Sequence, residues 1–464
     1  MPEATLESQP SLVIKHEAQP KHGLFATIWR WHFYAGMIFM PFLILLAVTG
    51  GIYLFKDQID DMRYHHLFHI EAKQTEKMDP SWQIEAVKKQ YSGASVVSYT
   101  PSFKADQTAE VGIEGTSGSL SVYVNPYDGS IVGDLDKSKT IMELIRDLHG
   151  SLLVGDKSIG DKIVEVSACW AIVLLITGLY LWWPRGRDKV FGTWLPRLRQ
   201  GKKILIRDLH AVPLFWMSIV LLVLVISGLP WSGITGDYIN RAATASQTGY
   251  PDFMWNAPPS EPTTKDIMDV PWAAEHLPVP KSNSNGAPTL PVENIIQTAE
   301  KEKVHPGYSI AIPSDEKGVY TVSVWPKAPK DEATLHIDQY SGKVLTNLRY
   351  ADYGPSAKAI EIGIALHEGH FFGTANLLLC LLACISLAGT AVLGAVMWWR
   401  RRPKGQSRVG APNKPTNYRL QKGVAIIVII LAILLPLVGI TFLAALIIDC
   451  FILRQMPKVK VWMN

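Results

Sequence analysis

Four histidines have the residue type and spacing to hold iron. His32 heads the apolar run WRWHFYAGMIFMPFLILLAVTG, and His210 heads LHAVPLFWMSIVLLVLVISG. Each run ends on a hydroxyl residue and a glycine, Thr49-Gly50 and Ser227-Gly228, equally far from its histidine. His149 (RDLHGSLLVG) and His367 (IALHEGHFFG) each follow a leucine and precede an apolar run that closes on a Trp-Trp pair. Two imidazoles on one haem iron fill both axial positions and leave none for oxygen, which suits electron transfer. Two repeat-related pairs, His32 with His210 and His149 with His367, match the needs of two b-type haems. No C-x-x-C-H occurs, which excludes covalent c-type attachment.

The elements that must position these residues are membrane spans. Apolar residues concentrate in blocks of the roughly 20 residues that a helix needs to cross a bilayer. Spans are expected at 29–55 and 211–230, and within 149–183 and 367–399, where a juxtamembrane helix carrying the histidine precedes the span. Breaks at Gly155-Asp156 and Gly373 separate those juxtamembrane helices from their spans. The polar tail at 1–28 precedes the first span, with no cleavage site after that span, so the run is expected to stay as an anchor. The loops at 184–210 and 400–423 are strongly basic. They include Arg185, Arg187, Lys189, Arg197, Arg199, Lys202, Lys203 and Arg207 in the first, and Arg400, Arg401, Arg402, Lys404, Arg408, Lys414, Arg419 and Lys422 in the second. The positive-inside rule puts both loops and the N-terminus in the cytoplasm and the long polar regions outside. Trp29, Trp31, Trp182-Trp183 and Trp398-Trp399 fit an aromatic belt at the inner interface. The stretch at 424–464 is apolar to Leu453, but Pro436 and Gly439 interrupt it and Asp449, Arg454, Lys458 and Lys460 follow, so its topology stays open.

The two outer regions, 56–148 and 231–366, are alike. The first has a helix from Asp79-Pro80 to Tyr91, with Asp79 as N-cap, then strands at Ala94–Thr100, Thr108–Ile113, Ser119–Val124 and Ile131-Val132. The second has a helix at Val292–Lys303 and strands near Ser309–Ile312, Val319–Val324, Thr334–Ile337 and Val344-Leu345. A Pro-rich linker at Ala257–Pro291 precedes it and is expected to be extended and partly mobile. The fold class is therefore a mainly α-helical membrane protein. It is a tandem repeat of two transmembrane helix pairs, each with an inserted small α+β module, plus a C-terminal hydrophobic segment. Both copies start and end on the same side, so they are related by an axis along the membrane normal. That axis sets equivalent histidines opposite each other at one depth.

Composition narrows the rest. The net charge of +4 does not imply nucleic acid. Cys169, Cys380, Cys384 and Cys450 all lie in apolar blocks, so no disulfide framework is expected. No phosphate-cradling glycine motif occurs, and a separate donor must bring electrons. HEGH at 367–370 is not H-E-x-x-H, and His370 is a possible further ligand or a surface residue. His65, His66 and His69 suit a solvated helix better than a metal site, and Met37 and Met40 suit packing better than ligation.

WRWHFYAG, LHGSLLVGDKSIGDKIVE…TGLYLWWPRGR, RDLHAVPLFW and LHEGHFFG…WWRRR resemble the PepSY-associated transmembrane family, and VYVNPYDGSIVGD resembles the terminal hairpin of the PepSY module. The resemblance runs from Trp29 to Arg402. It implies a multi-pass protein of the bacterial inner membrane with PepSY-like modules in the periplasm. It also implies a di-haem ferric-siderophore reductase of the FoxB type. The family's motif histidines fall at His32, His149, His210 and His367. Expected partners are a ferric siderophore or other periplasmic ferric chelate, a cytoplasmic flavoprotein or quinol as electron donor, and membrane lipid. The alternative is a non-enzymatic, membrane-tethered protein that binds or restrains a periplasmic partner. A transporter is disfavoured by the lack of buried acids and of mid-membrane Gly/Pro breaks in the four spans.

Overall fold

The computed structural model describes residues 23–116, 118–155, 158–184, 190–249, 262–284, 286–402, 409–411, 422–448 and 456. Expectations for the tail at 1–22, for Asp156, Arg185, Arg187, Lys189, Lys404, Arg408, Lys414, Arg419, Asp449, Cys450, Arg454, Lys458 and Lys460, and for the start of the Pro-rich linker at 257–261 lie outside these residues.

Among the described residues, four helices are long and apolar enough to cross a membrane. They are α1 (Gly23–Tyr53), α5 (Ile159–Trp182), α6 (Lys202–Gly228) and α10 (Thr374–Arg401). Pro41 and Pro213 lie inside α1 and α6, and both helices run on through them. Both helices also begin further back than the apolar runs, so His32 and His210 lie a few turns inside them. Further helices among the described residues include α2 (Lys56–Phe68), α3 (Pro80–Gln90), α4 (Ile141–Ser151), α7 (Ile234–Ala245), α8 (Val292–Lys301) and α9 (Pro355–His367). Thr140 caps α4, its hydroxyl accepting from Glu143 N at 3.2 Å, and so starts that helix well before His149. The chain then leaves α4 through Leu152 and Leu153 in the left-handed region and re-enters at the Ser158 cap of α5. Gly373, at φ 60°, makes the matching break before α10.

The strands β1 (Ser95–Thr100), β2 (Ala109–Gly115), β3 (Gly118–Val124), β4 (Ile131–Leu135), β5 (Ser309–Ala311), β6 (Val319–Val324), β7 (Ala333–Asp338) and β8 (Val344–Arg349) follow the expected order. They do not form two separate modules. One antiparallel sheet runs β4-β3-β2-β1-β5-β6-β7-β8. The seam is the pairing of β1 with β5, Ser98 with Ala311 and Tyr99 with Ile310. Each module alone would end in a bare edge strand, and the partner's equivalent edge satisfies it. Two equivalent strands pair antiparallel about a two-fold axis perpendicular to the sheet, so the sheet lies across the repeat axis.

Helices α3 and α8 cover one face of the sheet. Ile84, Val87, Ile295 and Ala299 pack there against Val111, Val122, Val322 and Leu335. Asp79 makes no side-chain cap bond. Instead the Glu293 carboxylate of α8 accepts from Ser81 N at 2.6 Å and Ser81 Oγ at 2.7 Å, tying the two modules together. Strands β6 and β7 are buried along their whole length because the opposite face is covered too. The cover is the described part of the Pro-rich linker, which is a packed strap, not an extended tether. Trp272, Ala273, Ala274 and Leu277 bury against Leu348, Tyr353 and Ile364. Proline costs little entropy to fix, which suits a strap without regular hydrogen bonding.

The C-terminal apolar segment is a helical hairpin, α11 (Lys422–Leu434) and α12 (Pro436–Ile447). Pro436 cannot continue α11, and the chain turns at Leu435. Trp170 on α5 donates to Thr441 Oγ1 of α12 at 2.9 Å, so the hairpin leans on the bundle.

Ile310 is fully buried at the seam. Ile310→Ala is expected to cost about 2–5 kcal/mol through lost contact and a residual cavity. Thermal unfolding followed by far-UV circular dichroism checks this; an unchanged midpoint would contradict the seam's role.

Candidate functional site

All four histidines are held in the same way. His32 Nδ1 lies 2.9 Å from Thr177 Oγ1, and that hydroxyl donates its own proton to Val173 O at 2.7 Å. His149 Nδ1 lies 2.8 Å from Thr49 Oγ1, which donates to Leu45 O at 2.8 Å. A hydroxyl whose proton is committed to its helix carbonyl can only accept. His210 Nδ1 faces Thr390 O at 2.9 Å, and His367 Nδ1 faces Leu224 O at 2.7 Å, both pure acceptors. Each Nδ1 therefore carries a proton, and in the neutral ring Nε2 keeps the free lone pair with which imidazole ligates a metal. Burial, followed by the nearby His367, lowers the pKa of His149 to about 4, which keeps that ring neutral.

A glycine backs every ring. A Cβ added to Gly178 would meet His32 Cε1 at 3.3 Å, and one on Gly50 would meet His149 Cε1 at 3.2 Å. The same construction puts Gly394 3.4 Å from His210 and Gly228 3.1 Å from His367. Gly50 and Gly228 thus make room for an imidazole from the neighbouring helix rather than for a macrocycle.

The pairs meet across the repeat axis. The rings of His149 and His367 have centroids 6.4 Å apart and planes at 79°. An imidazole nitrogen sits ~2.0–2.1 Å from a first-row metal and the ring centre about 1.2 Å beyond, so two imidazoles on one metal have centroids about 6.5 Å apart. His32 and His210 line one cavity of about 1230 Å³, together with Gly178, Gly394, Trp182 and Trp398. That exceeds the ~300–1,000 Å³ of ordinary ligand pockets. The ring spacing fits bis-imidazole ligation at His149 and His367, and the shared cavity and glycine clearances fit it at His32 and His210. From His32 to Thr49, which holds His149, α1 rises about 25 Å, close to the roughly 30 Å thickness of a bilayer core.

The Trp-Trp pairs also act alike. Trp182 Nε1 donates to Thr193 O at 3.1 Å and Trp398 Nε1 to Val409 O at 2.8 Å, each folding the following loop back on the bundle. Arg401 lies 5.4 Å over the ring of Trp29. Arg197, through its backbone N–H and its guanidinium, binds the buried Asp208 two residues before His210, with bonds of 2.7–3.0 Å.

Other sequence candidates fall elsewhere. Both ring nitrogens of His370 are taken, Nε2 by Glu368 at 2.8 Å and Nδ1 by Lys327 O at 2.8 Å, so it offers no lone pair to iron. Met37 and Met40 line the cavity beside His32. Cys380 is buried and engages Leu366 O and Asn376 at 3.2–3.3 Å, a packing role.

A bundle of four apolar helices, capped by one sheet and carrying two buried histidine pairs, is a membrane protein. The profile described as PepSY-associated TM region matches residues 29–401, and the chain belongs to that family. No curated protein matches it.

Three buried acids escaped the sequence reading. Glu165 lies inside α5 and is 1% exposed, so the spans do contain a buried acid. It is consumed structurally: its carboxylate accepts from Ile234 N and Thr235 N and so caps α7. Glu361, on α9, the helix that carries His367, is buried with Glu332, the residue before β7. Glu361 Oε1 accepts from Ala273 N of the strap at 3.1 Å. Among the described residues, both Glu332 oxygens, Glu361 Oε2 and the Tyr353 hydroxyl have no hydrogen-bond partner. Glu361 stood visible as an acid within AIEIGIALH, whereas nothing local marks Glu332.

Burial, then the charge of Glu361, raises the pKa of Glu332, and burial raises that of Glu361. Unfolded glutamates titrate near ~4.3, so above that pH the folded chain holds more protons than the unfolded one. Stability then falls as pH rises toward the raised folded values. Glu332→Gln is expected to flatten that fall and to stabilise by on the order of 1–3 kcal/mol at pH 8 but little at pH 4.5. Melting temperatures of both proteins across this range check it.

Proposed function

We propose that the protein is a di-haem electron-transfer protein of the bacterial inner membrane that reduces a periplasmic ferric siderophore. The observation that carries this is the fourfold repetition of a neutral, Nδ1-tethered, glycine-backed histidine, paired across the repeat axis. When bound, two b-type haems supply one-electron redox chemistry on both sides of the bilayer. His32 and His210 hold one, His149 and His367 the other. The hydroxyl and carbonyl acceptors keep each Nε2 aimed and unprotonated, and the apolar bundle excludes water and oxygen ligands. Lys202, Lys203, Arg207, Arg400 and Arg401 gather at the Trp-Trp end, which supports a cytoplasmic placement of that end and a periplasmic placement of the sheet. A flavoprotein or quinol docks at the basic end and gives one electron per ferric ion. Ferric iron, held by hard oxygen donors, becomes ferrous and is bound less tightly by the chelate.

Purified protein is expected to give a b-type difference spectrum on dithionite reduction, with two haems per chain. His32→Ala and His367→Ala are each expected to lose one haem, and both to abolish reduction of a ferric chelate. A haem-free wild-type protein, or variants with full haem content, would overturn the proposal and leave a membrane-tethered binding protein in its place.

A further inference from the structure

A second constellation of metal-binding side chains lies outside the bundle, on α2. Asp61, His65 and His69 each turn one donor atom inward, and these atoms all lie within 4.8 Å of one another. Asp61 and His69 are two turns apart, and in a straight helix their backbones would be separated by about 12 Å. Yet His69 Nε2 lies 2.6 Å from Asp61 Oδ1. The contact exists because α2 is interrupted at Tyr64 (φ −112°, ψ 21°) and because the chain turns extended at His69 (φ −117°, ψ 143°). His65 Nδ1 lies 3.9 Å from the other oxygen of Asp61. The two imidazoles are stacked at 4.3 Å, so both present edges to the same carboxylate.

The far side of His69 is also prepared. Its Nδ1 lies 3.9 Å from Asp106 Oδ2. The backbone holds Asp106 there: Ile70 N donates to Asp106 O at 3.0 Å, and His69 forms a β-bridge with Gln107. A ligand imidazole with a carboxylate behind its second nitrogen is the usual outer-shell arrangement of a metal site. The contrast lies within the molecule. His336, buried in β7, has both nitrogens satisfied by Thr264 and Thr321 hydroxyls at 3.0–3.1 Å and is plainly structural. Asp61 and His65 are exposed, and of the three converging donors only His69 and Asp61 are bonded to each other.

We infer that Asp61, His65 and His69 form a surface site for a labile first-row divalent metal ion, with Asp106 positioning His69. Two imidazoles and one carboxylate select borderline ions such as Fe²⁺, Co²⁺, Ni²⁺ or Zn²⁺ over Mg²⁺ or Ca²⁺, which take oxygen donors. Exposure leaves the remaining coordination positions to water, so the ion exchanges. The site shares no residue with the buried pairs, and the inference does not rest on the haem proposal.

The test is titration of the full-length protein in detergent with Zn²⁺, read by calorimetry and by metal content after equilibrium dialysis. Wild type is expected to bind Zn²⁺ at this site and to give no heat with Mg²⁺. Asp61→Asn, His65→Ala and His69→Ala should each weaken that binding about ten-fold or more, and Asp106→Asn by less. His66→Ala removes an adjacent histidine outside the cluster and should leave binding and melting temperature unchanged. The inference is overturned if wild type takes up no Zn²⁺, if His66→Ala weakens binding as much as His65→Ala, or if Asp61→Asn binds like wild type.

Discussion

The structure turns on one hydrogen bond made four times, from the Nδ1–H of a histidine to an acceptor on the neighbouring membrane helix. A free imidazole exchanges tautomers, and one free to rotate has no fixed ligand direction. Tying Nδ1 removes both freedoms, and the bond forms only because a glycine lets the ring lie against the helix. Histidine, acceptor and glycine are therefore one unit, and helix packing is set by the need to bring them together. In three of the four units a hydroxyl residue immediately precedes the glycine: Thr177-Gly178, Thr49-Gly50 and Ser227-Gly228. In the fourth the residue before Gly394 is Leu393, and the Thr390 carbonyl is the acceptor, as the Leu224 carbonyl is for His367. The acceptor's chemistry is interchangeable; its direction is not.

The sheet does for the outer domains what the histidine pairs do for the bundle. Pairing β1 with β5 fixes the two halves about one axis, and Glu293 repeats the tie on the helical face. The strap adds a second layer to one half alone. Through Glu361 it also touches α9, the helix that ends at His367, and burial holds the pKa of that carboxyl above its ordinary value.

Much of this was legible in the sequence, because the informative signals were periodic or repeated. The strands followed from alternation at 94–132 and 309–345, and the spans from apolar length. The four histidines followed from position in the repeat. What was not legible depends on distance in space. The joining of two modules into one sheet is an edge-to-edge event with no local signature. The strap looked like a linker because proline-rich chain looks alike whether packed or free, and only Trp272 and Leu277 hinted at burial. Gly178 stood in plain sight in TGLYLWW, but its purpose needs His32, 146 residues away, to be seen against it.

The β1–β5 seam has the geometry of a contact between two copies. A chain half this long, with one copy of each element, would carry a bare edge strand and two histidines without partners. Self-association about a two-fold axis would repair both defects at once, because an isologous contact pairs each surface with its own equivalent. The present polypeptide has the form of such a homodimer joined end to end. Within one chain the two copies need not be identical. The strap, the Glu332–Glu361 pair and the Leu393 exchange belong to the second copy, and the Asp61–His65–His69 cluster to the first. The internal repeat supplies the symmetry that pairs the histidines, and a single chain leaves the two ends of the molecule free to differ.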